Sequence, residues 1–287
     1  MSHYRLTPTS KCNQNCLFCL VKKDPKINLS FEKAVSRLKK AHDQGAALLS
    51  LDGGEPTLLS YFKELIKQSI SLGFKKIAIK TNGLGFSNYQ YAKTIIEGNQ
   101  NIIKIYLSLH GADKNIHDKL VQKNGSFDTA IKAAKNIIKL KCDFTSNIVI
   151  CSLNFLYLKE YVDLLKRLGV KKTIFLFIAS RGSALKNPFL IPEIETTVSY
   201  IKEAIDYANS KNVEVALTFF PFCLLDDYYI NFAVESHILG KIKNFDELSE
   251  ERYKSKNCQK CRYYTKCPGV WKKYYQLRGF KFKPIIS

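Results

Sequence analysis

Seven short apolar runs, at 3–8, 46–52, 75–81, 102–109, 144–151, 172–179 and 213–219, punctuate the chain. Between them lie longer stretches near 30–45, 57–72, 88–98, 126–140, 157–169 and 192–210 whose apolar residues recur at helical spacing. SFEKAVSRLKKAHDQG is representative: Ser30 as N-cap, Phe31, Ala34, Val35 and Leu38 on one face, Gly45 at the end. Strands that alternate with helices return in the same direction, so the chain is expected to form a parallel sheet with right-handed crossovers, either a barrel or an open sheet. In both, ligands sit beyond the carboxyl ends of the strands.

The sequence after each strand is therefore where chemistry is expected. A cysteine loop follows the first run, DGGEP the second, TNG the third, and LSLHG closes the fourth. Near residue 221 the alternation stops. Beyond it come Cys223, an acidic stretch (Asp226, Asp227, Glu235, Asp246, Glu247, Glu250, Glu251) and a basic, cysteine-rich tail, so a domain boundary is expected there, giving 1–220 and 221–287. The N-terminus lacks the apolar core of a secretion signal, and no run approaches the roughly 20 apolar residues of a membrane span. A soluble, cytoplasmic protein is expected, in which clustered cysteines suggest metal before disulfide.

Cys12, Cys16 and Cys19 fall within KCNQNCLFCL, three thiols on one short loop with no adjacent fourth ligand. A tetrahedral zinc site usually takes four protein ligands. Thiolates also hold iron–sulfur clusters, and three cysteines on a four-iron cube leave one iron open to an outside ligand. By chance the pattern could instead be half of a zinc site completed by Cys223 or the tail. His110, beside a glycine turn, reads as structural, and His117 and Asp118 as part of an exposed polar stretch.

TPTSKCNQNCLFC, LDGGEPTL, IKTNG and YLSLHG, in that order across residues 1–151, resemble the radical S-adenosylmethionine (radical SAM) superfamily. The resemblance implies an α/β fold, a partial parallel (β/α)6-type barrel with a small C-terminal cysteine-rich extension. It also implies that Cys12, Cys16 and Cys19 ligate a [4Fe-4S] cluster whose open iron is chelated by S-adenosylmethionine. An electron from the cluster then cleaves the sulfonium, and the 5′-deoxyadenosyl radical abstracts a substrate hydrogen. By the same resemblance Phe18 lies against the adenine, and Gly53, Gly54 and Glu55 meet the methionine amino group, where a buried carboxylate facing an ammonium is sound physics. Ser108 and Asn82 line the same rim. The adenine contact further along the chain has no counterpart in the sequence. An electron donor such as flavodoxin or ferredoxin is implied as a partner.

CQKCRYYTKCPG supplies Cys258, Cys261 and Cys267, and with Cys223 makes four thiols. The arrangement resembles the SPASM and twitch auxiliary-cluster extensions of radical SAM enzymes, which implies a second [4Fe-4S] cluster; zinc suits the same donors. The net charge is +20, yet lysines number 38 and arginines 7, a bias that speaks for solvated surface rather than phosphate recognition. From Arg252 onward there are eleven Lys or Arg and no Asp or Glu, interleaved with eight aromatics. That shell could offset cluster thiolates, hold an acidic peptide or, least favoured, stack on RNA.

A core plus an auxiliary cluster implies oxidation, crosslinking or other modification of a peptide or protein side chain. A small molecule in cofactor or natural-product biosynthesis is the alternative, a tRNA base a lesser one, and a zinc-stabilised RNA-binding protein the non-enzyme alternative. With the cysteine loop so near the N-terminus, a peptide substrate is expected to need a separate recognition partner or the tail itself.

Overall fold

A computed structural model describes residues 2–21, 27–233 and 251–286. Of the acidic stretch, Glu235, Asp246, Glu247 and Glu250 lie outside the described residues. Seven parallel strands form one sheet in the order β1-β2-β3-β4-β5-β6-β7: Ser2–Thr9, Ala46–Gly53, Lys76–Thr81, Ile103–Ser108, Asp143–Ile150, Lys172–Phe177 and Glu214–Thr218. Each matches one of the seven apolar runs, one strand more than the six-strand description, and β1 and β7 lie at the two ends of the sheet.

The crossovers are α1 (Phe31–Asp43), α2 (Phe62–Ser71), α3 (Tyr89–Ile96), the pair α4 (Lys114–Val121) and α5 (Ser126–Lys139), α6 (Leu158–Leu168) and α7 (Ile194–Ser210). Ser30 caps α1 as expected, its side chain accepting the Lys33 N–H. The expected helix 57–72 is divided into a 3-10 turn, Pro56–Leu58, and α2. Helix α4 was not expected, because its polar sequence is anchored by a cap, Asp113, that accepts from Asn115 and Ile116.

Strand alternation sorts the two faces of the sheet. Leu49, Leu51, Ile77, Ile79, Ile105 and Leu107 are fully buried in the main hydrophobic core. The alternate positions are mixed: Ala78, Tyr106 and Ile174 form a small second apolar cluster, while His3 bonds Ser50 at 2.8 Å and Asp52 is paired with Arg5 at 2.6 Å and Lys80 at 3.3 Å. Buried polar and charged groups on the face away from the main core suit a barrel interior that holds a ligand.

The tail packs back on the barrel. After α8 (Asp227–Ile230), β8 (Arg252–Tyr253) pairs antiparallel with β9 (Val270–Trp271), followed by α9 (Lys272–Arg278). Val270, Trp271 and Tyr274 join the same core as the barrel. The Tyr274 hydroxyl accepts the Ile194 N–H at 2.8 Å, and Arg278 donates to the Ile191 carbonyl at 2.9 Å. No helix among the described residues is long and apolar enough to cross a membrane.

Candidate active site

An open cavity of about 770 Å³ lies at the carboxyl ends of the strands. Its wall includes Cys12, Cys16, Cys19, Phe18, Gly53, Gly54, Asn82 and Ser108, so eight residues singled out in the sequence meet at one place.

Four segments clamp the cysteine loop through its backbone. The Gly54 N–H donates to the Thr9 carbonyl and the Glu55 N–H to the Lys11 carbonyl, both at 2.8 Å. Asn15 and Leu17 donate to the Val121 and Leu120 carbonyls at the end of α4, at 3.1 and 2.9 Å. Ser183 donates to the Cys19 carbonyl at 2.9 Å, and the Asn187 side chain to the Leu17 carbonyl at 3.0 Å. The glycines of GGEP have a steric reason: a Cβ at Gly54 would lie 2.0 Å from the Lys11 oxygen, and Gly53 has φ +119°. Gly182 repeats the device from the other side, with φ +58° and a virtual Cβ 2.4 Å from the Cys19 carbonyl oxygen.

Asn82 reaches the loop through its side chain. Its Nδ2 donates to Asn13 Oδ1 at 2.7 Å and lies 3.8 Å from the Cys12 sulfur, while its Oδ1 accepts the Leu84 N–H at 3.1 Å. Burial pushes the Cys12 thiol above its ordinary pKa, opposed by the backbone at Gln14 and the Asn82 amide.

Glu55 is held from within the fold. It is only 1% exposed and is not among the cavity-lining residues; both carboxylate oxygens are satisfied internally. Oε1 accepts from Thr57 N–H (3.1 Å), Thr57 Oγ1 (2.7 Å) and Thr81 Oγ1 (2.8 Å), and Oε2 from Asn82 N–H (2.7 Å). Burial raises its pKa against the pull of these donors. The side chain ties the end of β2 to the end of β3 and so fixes the two segments that hold the cysteine loop.

His110 lines the cavity, its ring edge-on to Phe18 at 4.8 Å between centroids. Its Nδ1 accepts the Val149 N–H at 3.2 Å, and its own N–H donates to His117 Nδ1 at 3.0 Å. His117 is buried, not exposed as its polar neighbours suggested, because α4 folds over the end of β4. Burial is the main cause that lowers His110 to about 3 and His117 to about 4, so both are neutral near pH 7. Asp118 accepts the Gly125 and Phe127 N–H groups at 2.7 and 2.8 Å and so anchors the start of α5.

Sequence reasoning missed the charged part of the wall: Arg5, Asp52, Lys80, Arg181 and Lys186. The strand alternation and the SRGS that follows β6 were the available signals. Four cations against one carboxylate make a surface that suits anionic groups.

The four tail cysteines also converge. Cys223, Cys258, Cys261 and Cys267 line one small pocket, although Cys223 is remote in sequence; Lys254 and Lys283 share its wall. Cys267 is held by the Phe222 and Gly269 N–H groups, which approach its sulfur at 3.3 and 3.4 Å. Among the described residues no three His, Cys, Asp or Glu side chains close around one point as for a single metal ion. The donor sets nonetheless fit thiolate-bound clusters: three sulfurs on an open wall in the first site, four around a closed pocket in the second.

The sequence model of the Radical SAM superfamily matches residues 6–165, more than half of the chain. The sporulation killing factor maturation protein SkfB of Bacillus subtilis (strain 168) is 30% identical over 131 residues, 45% of this chain and 31% of that protein. A probable GTP 3′,8-cyclase of Saccharolobus islandicus (strain M.14.25 / Kamchatka #1) is 28% identical over 171 residues, 58% of this chain and 54% of the relative. The chain thus spans about a third to a half of the length of these curated relatives. Among solved structures, Streptococcus suis SuiB bound to S-adenosylmethionine is similar with TM-score 0.69 at 16% identity, covering 96% of this chain and 74% of that one. SuiB bound to precursor peptide SuiA gives TM-score 0.63 at 19% identity over 75% and 48%. These likenesses carry the fold.

Proposed function

The chain belongs to the radical SAM superfamily, whose members bind a [4Fe-4S] cluster and S-adenosylmethionine, and from that premise we propose that it is an enzyme that modifies a peptide or protein side chain. Cys12, Cys16 and Cys19 are the proposed cluster ligands. When bound there, the cluster supplies the electron for reductive cleavage of the sulfonium, which sets up abstraction of a substrate hydrogen. The residues of the chain hold and orient. Phe18, backed by His110, offers an apolar edge to the adenine. Gly53, Gly54 and Glu55 are the proposed contacts of the methionine amino end, and Glu55 also fixes that segment through Thr57, Thr81 and Asn82. Asn82 steadies the Cys12 side of the loop, and Ser108 adds a polar contact on the rim.

The observation that carries this reading is the convergence of the three cysteines with Gly53, Gly54, Asn82 and Ser108 on one cavity wall. A peptide substrate is supported by SkfB being named a maturation protein, by the precursor-peptide complex of SuiB, and by a cavity wall rich in cations. The cyclase relatives support a second reading, in which the same wall receives an anionic small molecule. Residues 221–287 are proposed as a short SPASM/twitch-like extension on the core of 1–220, with Cys223, Cys258, Cys261 and Cys267 ligating an auxiliary [4Fe-4S] cluster. That cluster would accept the electron left on the substrate. A flavodoxin- or ferredoxin-type donor and a separate peptide-recognition protein complete the proposed set of partners.

The test is anaerobic reconstitution with iron and sulfide, followed by reduction in the presence of S-adenosylmethionine. Formation of 5′-deoxyadenosine and methionine is the expected result. Protein that takes up zinc and no iron would support the zinc-stabilised RNA-binding alternative instead.

A further inference from the structure

Three buried hydrogen-bond donors without an acceptor meet at the junction of barrel and tail. They are Arg252 Nη1, Arg252 Nη2 and Trp271 Nε1, each fully enclosed and unpartnered among the described residues. The guanidinium lies 3.7 Å from the centroid of the Trp271 ring and 4.7 Å from that of Phe219, two rings that meet edge-to-face at 5.2 Å, so it packs against both. Glu251, the adjacent carboxylate, pairs with Arg181 at 3.3 Å instead. Buried polar groups are ordinarily hydrogen-bonded, and a buried charge ordinarily has a partner. An enclosed guanidinium without an acceptor leaves a positive charge that a nearby anion would offset.

The strand pairing says where that anion belongs. Arg252 is opposite Trp271 in the β8–β9 pair, and Cys267 lies at the entry to β9, held by the Gly269 N–H. Burial pulls the Arg252 pKa to about 9, still above neutral pH, while the Cys267 thiolate and the Glu251 carboxylate act in the opposite direction. Lys254, Gly269 and Pro221, each two residues from Arg252, Trp271 and Phe219, line the tail pocket, so the guanidinium stands one layer behind its wall; that wall also carries Lys283 and, among the described residues, no carboxylate.

We propose that Arg252, packed against Trp271 and Phe219, is the counter-cation of a thiolate-bound iron–sulfur centre in the tail and raises that centre's reduction potential. This rests on the auxiliary-cluster reading above. One-electron reduction adds one negative charge to the centre, and a fixed cation beside it stabilises the reduced form more than the oxidised one; charge and hydrogen bonds at the sulfurs are what set such potentials. A higher potential makes the tail centre a better acceptor for the electron left on a substrate. Phe219 packs against the guanidinium and also lines the large cavity. Arg252 is thus a positioning and tuning residue.

The test uses the full chain with Cys12, Cys16 and Cys19 all changed to Ala, so that only the tail centre can load. An EPR-monitored redox titration then compares this parent with its Arg252→Met and Arg252→Lys derivatives. The Met protein is expected to be about tenfold harder to reduce, roughly 59 mV more negative for one electron, and the Lys protein to fall between. Metal-free Arg252→Met should melt above the metal-free parent, since an unpaired buried cation has been removed. Equal potentials in iron-loaded parent and Met proteins overturn the inference alone, as does a lower melting temperature of the metal-free Met protein. A parent that binds no iron overturns the tail-cluster reading and the inference with it.

Discussion

The α-carbon of Gly54 sits directly beneath the carbonyl of Lys11: a Cβ built there would lie 2.0 Å from that oxygen, and the next N–H, of Glu55, donates to it at 2.8 Å. The second strand thus supports the cysteine loop backbone to backbone. Gly54→Ala should push the loop away at a cost of about 1–3 kcal/mol, the usual range for overpacking a tight contact. Iron content after reconstitution and melting temperature should both fall. Unchanged iron content would separate GGEP from the loop.

Glu55→Gln tests the strut. The amide can face its oxygen toward Thr57 and Thr81 or toward Asn82, not both, so one set of donors meets an NH2 group. Leaving a buried N–H such as that of Asn82 unsatisfied costs about 1–3 kcal/mol. Urea unfolding should show the loss, with a weaker hold on S-adenosylmethionine as a consequence of a loosened segment. If cofactor affinity falls while stability is untouched, the carboxylate faces the ligand and not the strands.

Acid should weaken the fold through its buried histidines. His110 and His117 are lowered to about 3 and about 4, below the ordinary 6.5. Between those values the unfolded chain binds more protons than the folded one, so stability is full above about pH 6.5 and declines as pH falls toward 4. The slope is about 1.4 kcal/mol per pH unit for each histidine. Unfolding measured at pH 7, 6 and 5 should show it, and His117→Gln should flatten it. An identical slope in the variant would assign the acid sensitivity elsewhere.

Much of this was legible in the sequence because two periodicities carry it. Seven apolar runs mark seven strands, and a parallel sheet puts every strand end on one rim, so the cysteine loop, GGE, Asn82 and Ser108 could be placed together before any geometry. What stayed hidden depends on contacts remote along the chain. That Thr57, Thr81 and Asn82 hold Glu55 cannot be read from its place in GGEP. His117 reads as surface until α4 is seen to cap the end of β4. Arg5, Asp52 and Lys80 are ordinary charges in isolation and become a network only when β1, β2 and β3 align. Cys223 joins the tail pocket only because the tail packs back on the barrel through Trp271 and Tyr274.

Removing Cys261 tests the tail. On the proposed assignment, Cys261→Ala should lower iron from about eight to about four per chain, the content of one remaining four-iron cluster. Cleavage of S-adenosylmethionine should survive. A site for zinc gives another pattern, with iron near four in both proteins on that count and only zinc lost. No change in either metal would mean that the four cysteines are not a site.

The most direct measurement compares wild type with Cys16→Ala after anaerobic reconstitution and reduction, with 5′-deoxyadenosine as the readout. Wild type should cleave S-adenosylmethionine to 5′-deoxyadenosine and methionine. Cys16→Ala should form neither product while retaining the iron bound by the tail. Undiminished 5′-deoxyadenosine from the Cys16→Ala protein would contradict the assignment of Cys12, Cys16 and Cys19 as the ligands of the catalytic cluster.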